Sequence, residues 1–320
     1  MHFNGEVLDY FNVKSFISNI FEGKEHSKRV ESIANAALGI VASGSLIIHR
    51  IGRGMAEIFN LTDKSAIKQV DRLLSNEKLQ LSKIAPYWVD YLLGNREEIM
   101  VSMDWTDFDH DNQSTLMLNL VTSHGQSTPL LWKTVDKSKL KNNRNNYEDE
   151  LLSQLRDCIP ENIYVTILAD RGFCDIKLFA FLSELKFDYI IRIRSNILVE
   201  DETGEVKKAI EWAGKSGKTK TIRDAKLTDD KYEVPIVACK HAKLMQEPWY
   251  IVSSREELSG SWAVKWYEKV GMRTTFSRHQ RYYFWYGIII YSYKKFSSQR
   301  QIIFNSCNRN ACINIIGCRW

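Results

Sequence analysis

The feature that most constrains the fold is the order of strand-like and helix-like segments between residues 98 and 194. This region opens with "EIMVSMDWTDF", which has the apolar, β-branched and aromatic residues that are typical of a strand. The predicted elements are, in order, strands at 98–108, 114–123 and 127–135, a helix, a buried strand within 162–173 that ends at Asp170, a second helix, and a strand at 188–194. This order places the fourth strand beside the first.

The same order predicts an α/β domain of the ribonuclease H-like class, in which a mixed sheet carries helices on its faces. Residues 97–194 would form the first part of this core. Residues 195–256 contain further strand-like segments separated by polar turns, which indicates a β-rich insertion. Residues 257–269 would begin the final helix of the core.

Residues 1–96 predict an α-helical region, because their apolar residues recur at three- and four-residue spacing. Within this region Thr62 or Asp63 can cap a short helix. Three polar residues of that helix would suit a DNA major groove: Lys68, Gln69 and Arg72. The alternative is that they form the solvated face of a helical bundle.

Two acidic residues stand out by their positions. Asp104 lies inside an apolar strand, where a carboxylate is costly to bury unless it is paired or binds a metal. Asp170 ends the strand that is predicted to lie beside it. Neighbouring carboxylates repel and raise one another's pKa unless a divalent cation lies between them. A turn or a helix cap would explain either residue alone, but the pair predicts a catalytic metal site.

The net charge of +5 does not by itself indicate nucleic-acid binding, because the charge is unevenly distributed. From residue 269 onward there are nine Lys and Arg and no Asp or Glu, so residues 1–268 carry a net charge of −4. Only local basic clusters can therefore be used as evidence for a DNA-binding surface.

The cysteines and the apolar runs predict an ordinary intracellular protein. The six cysteines include no Cys-x-x-Cys pair, which argues against a zinc site and favours reduced thiols. The N-terminal residues lack the charged and apolar pattern of a leader, and no eighteen apolar residues follow one another. The expected location is the cytoplasm.

The residues around both acids resemble a known family. The segments "SMDWTDF" around Asp104 and "LADRGF" around Asp170 are similar to the first two acidic motifs of DDE transposases from bacterial insertion sequences, specifically the insertion sequence four family. The resemblance implies that Asp104 bridges two Mg²⁺ or Mn²⁺ ions and that Asp170 holds one of them. Arg171 would contact a phosphate, and an ordinary salt bridge is the alternative.

The resemblance also implies the partners of the protein. These are double-stranded DNA, as transposon ends and as target, and a second copy of the chain, so that a homodimer acts on DNA in the bacterial nucleoid. The insertion at 195–256 would hold the hairpin or flanking DNA, with Trp212 or Trp249 stacking on displaced bases. A core position is the alternative for each tryptophan.

The third motif departs from the family pattern. In the family a helix carries a Tyr, an Arg three residues on, a Glu four after that and a Lys seven after that. Counted from Tyr267, which we assign to DNA binding, those places hold Val270, Thr274 and Arg281. Glu268 precedes the expected acid by six residues and would point elsewhere on the helix. No third acidic ligand is identified.

A frameshift after Lys269 would explain this departure. The genetic code allows residues 270–281 to be encoded so that the next reading frame gives an amphipathic segment with the expected Glu and Lys. Residues 270–320 would then be an out-of-frame tail, which accounts for their lack of acids and predicts low stability of the chain. The alternative is a divergent but genuine tail that binds DNA through Arg and aromatic residues.

Three functions are compatible with these features. The first is a transposase that cleaves and joins DNA at transposon ends with metal ions, impaired here by the loss of the third acid. The second is a catalytically inactive DNA-binding product that inhibits transposition. The third, a repair or RNA-cleaving nuclease, leaves the N-terminal helices and the insertion without a role.

Overall fold

In a computed structural model of the chain, the described residues are 2–3, 6–7, 10–21, 23, 25–79, 81–121, 127–214, 216–243 and 245–274. They belong to two compact units, one within residues 1–92 and the other within residues 93–275. The predicted out-of-frame tail lies outside the described residues from position 275 onward.

The first unit is mainly helical. Its elements are β1 (His2–Phe3), β2 (Glu6–Val7), α1 (Tyr10–Phe21), α2 (Ser27–Ser43), α3 (Ile48–Phe59), α4 (Asp63–Leu74) and α5 (Leu81–Leu93). The strands β1 and β2 form an antiparallel pair. The helices bury their apolar faces against one another, as expected for amphipathic helices. The sequence pattern alone does not predict α3 as a separate helix.

Glycines allow α3 to pack closely against its neighbours. A Cβ atom at Gly54 would lie 2.6 Å from the carbonyl oxygen of Gly39 on α2, and one at Gly52 would lie 2.5 Å from the Ile67 side chain on α4. Close packing therefore compensates for the low intrinsic helix propensity of glycine. Within the described residues no single helix is long and apolar enough to span a membrane, and α2 and α3, bent by 98°, meet that criterion only as a pair.

The second unit is a mixed α/β structure. Its strands are β3 (Glu98–Phe108), β4 (Gln113–Val121), β5 (Ser127–Asp136), β6 (Tyr164–Ala169), β7 (Asp188–Arg192), β8 (Leu198–Glu200), β9 (Val206–Lys208), β10 (Lys220–Leu227), β11 (Tyr232–Lys240) and β12 (Trp249–Ser253). Its helices are α6 (Arg144–Cys158), α7 (Ile176–Glu184), α8 (Ala209–Trp212) and α9 (Gly260–Thr274).

The strands of this unit form one sheet in the order β5, β4, β3, β6, β7, β12, β11, β10, β8, β9. The strand β3 is antiparallel to β4 and parallel to β6, and β6 is parallel to β7. The remaining pairs are antiparallel. The sheet is therefore mixed, as the sequence predicts, and its parallel part lies at the centre.

Helices cover both faces of the sheet. On β7, Tyr189 stacks on Phe179 of α7 with 4.9 Å between ring centroids. The next residue, Ile190, belongs to an apolar cluster with Ala263 and Val264 of α9. Because successive strand residues point to opposite faces, α7 and α9 lie on opposite sides of the sheet.

The residues predicted as a β-rich insertion, 195–256, supply the strands β8 to β12. These strands continue the same sheet, because β12 pairs with β7 through Ile251 and Arg192. The final helix α9 begins at Gly260 and continues past Lys269.

Candidate active site

Asp104 on β3 and Asp170 directly after β6 lie side by side, because these two strands are neighbours and parallel. The register pairs Met103 of β3 with Ala169 of β6, and the next residues in the sequence are Asp104 and Asp170. Adjacent strands are about 4.8 Å apart, so the carboxylates are close neighbours. Both acids share a sheet face with Leu168, which packs under α9.

The environment of Asp104 disfavours its negative charge. Burial raises the pKa of Asp104 to about 7, and the neighbouring charge of Asp170 also raises it. The hydrogen bond from the backbone amide of Trp105 lowers it, but by less. Asp104 is therefore partly protonated near neutral pH, and a cation beside it would favour the ionised form.

Asp170 is exposed and is held by two donors. Its Oδ1 atom accepts a hydrogen bond from the backbone N–H of Arg171 at 2.6 Å and one from the Tyr267 hydroxyl at 3.4 Å. Tyr267 was predicted to contact DNA, but its side chain is buried under the sheet. Burial raises the pKa of Tyr267, and the charge of Asp170 adds to this effect, so the hydroxyl remains a donor.

The two carboxylates fit a divalent metal ion. Carboxylate oxygens are the ligands that Mg²⁺ and Mn²⁺ prefer, and an ion bound by two carboxylates completes its coordination with water and phosphate oxygens. Within the described part of the chain, no group of three or more His, Cys, Asp or Glu residues is placed to form a larger ligand set. The described cysteines are free thiols: Cys158, Cys174 and Cys239.

Glu268 is engaged elsewhere. Its Oε1 atom forms an ion pair with the Nζ atom of Lys240 on β11, at 2.7 Å. It follows Tyr267 on α9 and therefore points about 100° away from the residue that contacts Asp170. The described residues thus offer no evident replacement for the third acid.

Two arginines beside the acid pair share one glutamate. The guanidinium of Arg171 lies 3.2 Å from Glu247 Oε2, and that of Arg192 lies 2.6 Å from Glu247 Oε1. The register pairs Ala169 of β6 with Ile191 of β7, so Arg192 is the neighbour of Asp170 on the next strand. In the absence of DNA, Arg171 thus makes the salt bridge that was the alternative to a phosphate contact.

Sequence reasoning missed Arg192 and Glu247. An arginine inside the apolar run "DYIIRIR" was an available signal for Arg192. Glu247 has no comparable signal, because it lies in the loop before β12 and meets its partners only through the fold.

The helix α4 presents the predicted DNA-reading residues in the first unit. The Thr62 hydroxyl caps it by accepting a hydrogen bond from the Ser65 amide at 3.3 Å. Lys68 and Arg72 are exposed one turn apart, and Gln69 is half-buried. Ion-pair partners of Lys68 and Arg72 are absent among the described residues.

The two tryptophans of the insertion differ in position. Trp212 is buried, and its Nε1 donates to the backbone oxygen of Val199 at 3.2 Å, which is a core position. Trp249 is half-buried and packs edge-to-face on Tyr267, with 5.2 Å between ring centroids. Only Trp249 therefore lies near the acid pair.

The fold and the site together define a core of the ribonuclease H-like class, with one carboxylate on the central strand β3 and the other directly after β6. The family model of the transposase DDE domain matches residues 100–284, which is more than half of the chain. The chain belongs to this family, whose members are transposition enzymes that use divalent metal ions.

A search of curated proteins found no match to the chain. Among ten matching chains of solved structures are two of the Argonaute protein of Marinitoga piezophila, one with guide RNA and target DNA and one with guide RNA. Each is 10% identical and covers 68% or 69% of this chain, with TM-scores of 0.26 and 0.25. The match spans only 32% and 34% of the Argonaute chains, so it bears on neither function nor partners.

Proposed function

We propose that this chain is a transposase of a bacterial insertion sequence, of the insertion sequence four family. Its reaction is metal-dependent DNA cleavage and strand transfer at transposon ends, and this copy is impaired by the loss of the third acidic residue. The observation that supports the proposal most is the parallel pairing of β3 with β6, which brings Asp104 beside Asp170 within the region that the family model matches.

Asp104 and Asp170 would hold the metal, as two Mg²⁺ or Mn²⁺ ions. When bound, such ions activate a water or a 3′-hydroxyl and stabilise the leaving oxygen of a phosphodiester. Asp104 must lose its proton to act as a ligand, and its raised pKa makes this step depend on pH. The Tyr267 hydroxyl orients Asp170 through its hydrogen bond.

The DNA partner would be bound by both units of the chain. Lys68, Gln69 and Arg72 of α4 would contact the transposon end, since two of them are exposed cations one helical turn apart. Arg171, beside Asp170, would contact a phosphate near the bond that is cut. We propose that the chain acts as a homodimer on DNA in the cytoplasm, at the nucleoid.

Cleavage of DNA that carries the sequences flanking the gene tests this function. The full chain is incubated with that DNA and either Mg²⁺, Mn²⁺ or EDTA, and nicking and joining are followed on gels. Metal-dependent cleavage that the Asp104→Ala substitution abolishes, and that Asp229→Asn at an exposed turn does not, would support the proposal. Cleavage that persists in EDTA would refute it.

A catalytically inactive DNA-binding product is the second candidate. It is favoured by the ion pair of Glu268 with Lys240, which leaves the acid pair without a further carboxylate among the described residues. Specific retention of the end fragment without cleavage in either metal ion would select this candidate. Inhibition of an active copy of the same element would then follow from competition for the ends.

We also propose that a frameshift after Lys269 caused the loss of the third acid. Its support is the absence of Asp and Glu from residues 270–320. The nucleotide sequence from the codon of Trp266 onward tests it directly. A next frame that encodes a glutamate-bearing helix would support the frameshift, and a next frame with early stop codons would exclude it.

A further inference from the structure

A cleft of about 590 Å³ opens beside the acid pair. Its charged lining residues are three arginines and one glutamate, which gives a net charge of +2: Arg171, Arg192, Arg194 and Glu247. The other lining residues are uncharged, and they include Ser195, Asn196 and Tyr250. The cleft therefore attracts anions, and Arg171 connects it to the end of β6 that carries Asp170.

Two buried donors of this cleft have no hydrogen-bond partner among the described residues. They are the Nε atom of Arg192 and the hydroxyl of Tyr250, whose side chain is only 3% exposed. The two donors leave the sheet on opposite faces, because Tyr250 directly precedes Ile251, which pairs with Arg192. A buried donor without an acceptor is unfavourable, and an oxygen of an anion would supply the acceptor for Arg192 Nε.

Glu247 occupies the position between the two arginines. One carboxylate oxygen binds Arg171 and the other binds Arg192, which is the way that two oxygens of a phosphate group bridge paired guanidiniums. The glutamate lies in the loop between β11 and β12 and is about half exposed, whereas Arg192 is only 12% exposed. The buried side chain of Arg192 is therefore fixed in place, whereas the side chain of Glu247 lies on an exposed loop.

We propose that this cleft binds a backbone phosphate of DNA and that Glu247 is an internal competitor, which holds the arginines until the phosphate displaces it. Ion pairs with an exposed partner contribute little to stability, so displacement is inexpensive. A phosphate would keep both guanidinium contacts and could also accept from Arg192 Nε. Removal of the competing charge should therefore strengthen DNA binding.

This inference rests on the proposed function, because it takes DNA as the source of the phosphate. The alternative is a simpler role, in which Glu247 only neutralises the buried charge of Arg192. Both roles predict a small loss of stability when Glu247 is replaced. Only the competitor role predicts a gain in DNA affinity that depends on Arg192.

The test is fluorescence anisotropy of a labelled duplex of about 30 base pairs and mixed sequence, in EDTA and at several KCl concentrations. Glu247→Gln should tighten binding about 3- to 10-fold at low salt. The slope of log K against log salt should steepen by about 1, because one more phosphate contact forms. The matched control is Glu161→Gln, which removes the same charge from an exposed site near the opposite end of β6.

A double variant tests whether the gain in DNA affinity arises in the cleft. If Glu247 competes for the arginines, Glu247→Gln should give no gain when Arg192→Gln is already present. Equal affinities of the Glu247→Gln and Glu161→Gln variants would overturn the inference, as would a full gain in the Arg192→Gln background. All variants are first compared by thermal melts, so that a folding defect is seen directly.

Inorganic phosphate as a second probe separates this inference from the proposed function. A wild-type chain that binds no duplex at any salt concentration would contradict the proposed function. The cleft is then tested by the rise in melting temperature with phosphate, which should be larger for Glu247→Gln than for Glu161→Gln. Equal rises would overturn the phosphate site as well.

Discussion

Replacement of Asp104 by asparagine should stabilise the metal-free protein, and more so at high pH. The folded chain raises the pKa of Asp104 from 3.8 to about 7, mainly because the carboxylate is buried. In the unfolded chain the group ionises near its ordinary pKa. Between these two pH values the folded state binds more protons than the unfolded state, so the free energy of unfolding falls as pH rises.

The size of the effect follows from the two pKa values. The difference between the two pKa values lowers the free energy of unfolding by about 4 kcal/mol at pH 8, but by only about 2 kcal/mol at pH 5. Asparagine has nearly the same shape and no charge, so it removes this pH-dependent cost. The stability gained by Asp104→Asn over wild type should therefore grow by about 2–3 kcal/mol between pH 5 and pH 8.

Thermal melts of the full chain in EDTA would measure this gain. For a unit of this size the difference corresponds to a further rise in melting temperature of about 5–10 °C at pH 8. Mg²⁺ or Mn²⁺ should then raise the melting temperature of wild type but not of Asp104→Asn, because ligands stabilise the state that binds them. Asp229→Asn, at an exposed turn, is the control. Parallel pH profiles of wild type and Asp104→Asn would refute the reasoning.

Two further substitutions test the packing of each unit by chemical denaturation. Gly54→Ala should destabilise the helical unit by about 1–3 kcal/mol, although alanine favours helices, because its Cβ would lie 2.6 Å from the Gly39 carbonyl oxygen; a gain in stability would contradict the close packing of α2 and α3. Glu148→Ala should cost about 2–3 kcal/mol, because it removes the acceptor of the 2.7 Å hydrogen bond from Trp105 Nε1, whereas Glu148→Gln should cost less than half as much. Equal losses for the two Glu148 variants would show that the hydrogen bond is not what stabilises this contact.

The parts of the fold that depend on local periodicity can be predicted from the sequence. Strand alternation and the caps and turns between segments locate β3 and α4 to within a residue or two. The helix α3 escapes prediction because Gly52 and Gly54 weaken its local helical signal, and contacts with α2 and α4 stabilise it instead. Those contacts exist only in the folded unit.

The residues of the candidate site also differ in whether the sequence alone predicts them. Asp104 can be predicted because a carboxylate is unusual inside an apolar strand. Asp170 can be predicted because it directly follows a second apolar strand. The pairing of Glu247 with Arg171 and Arg192 joins residues 76 and 55 positions apart in the chain. No local pattern encodes such a contact, so only the register of β6, β7 and β12 reveals it.

A carboxylate restored to α9 would show whether the acid pair is still half of a functional metal site. Thr274 lies seven residues after Tyr267 on α9, and seven residues make nearly two full helical turns. Positions seven apart in an ideal helix return to nearly the same face, and the Tyr267 hydroxyl contacts Asp170. The family pattern places its glutamate at this position.

Thr274→Glu should therefore strengthen Mn²⁺ or Mg²⁺ binding about tenfold or more, since each added carboxylate raises the charge of the ligand set. The measurement is the metal concentration that gives half of the maximal rise in melting temperature at pH 8. Ser261→Glu adds the same charge to an exposed site near the start of α9 and is the control. If Thr274→Glu acts through the acid pair, Asp104→Asn will cancel the gain. A gain that Ser261→Glu reproduces, or that survives Asp104→Asn, would mean that α9 does not bring position 274 to the two acids.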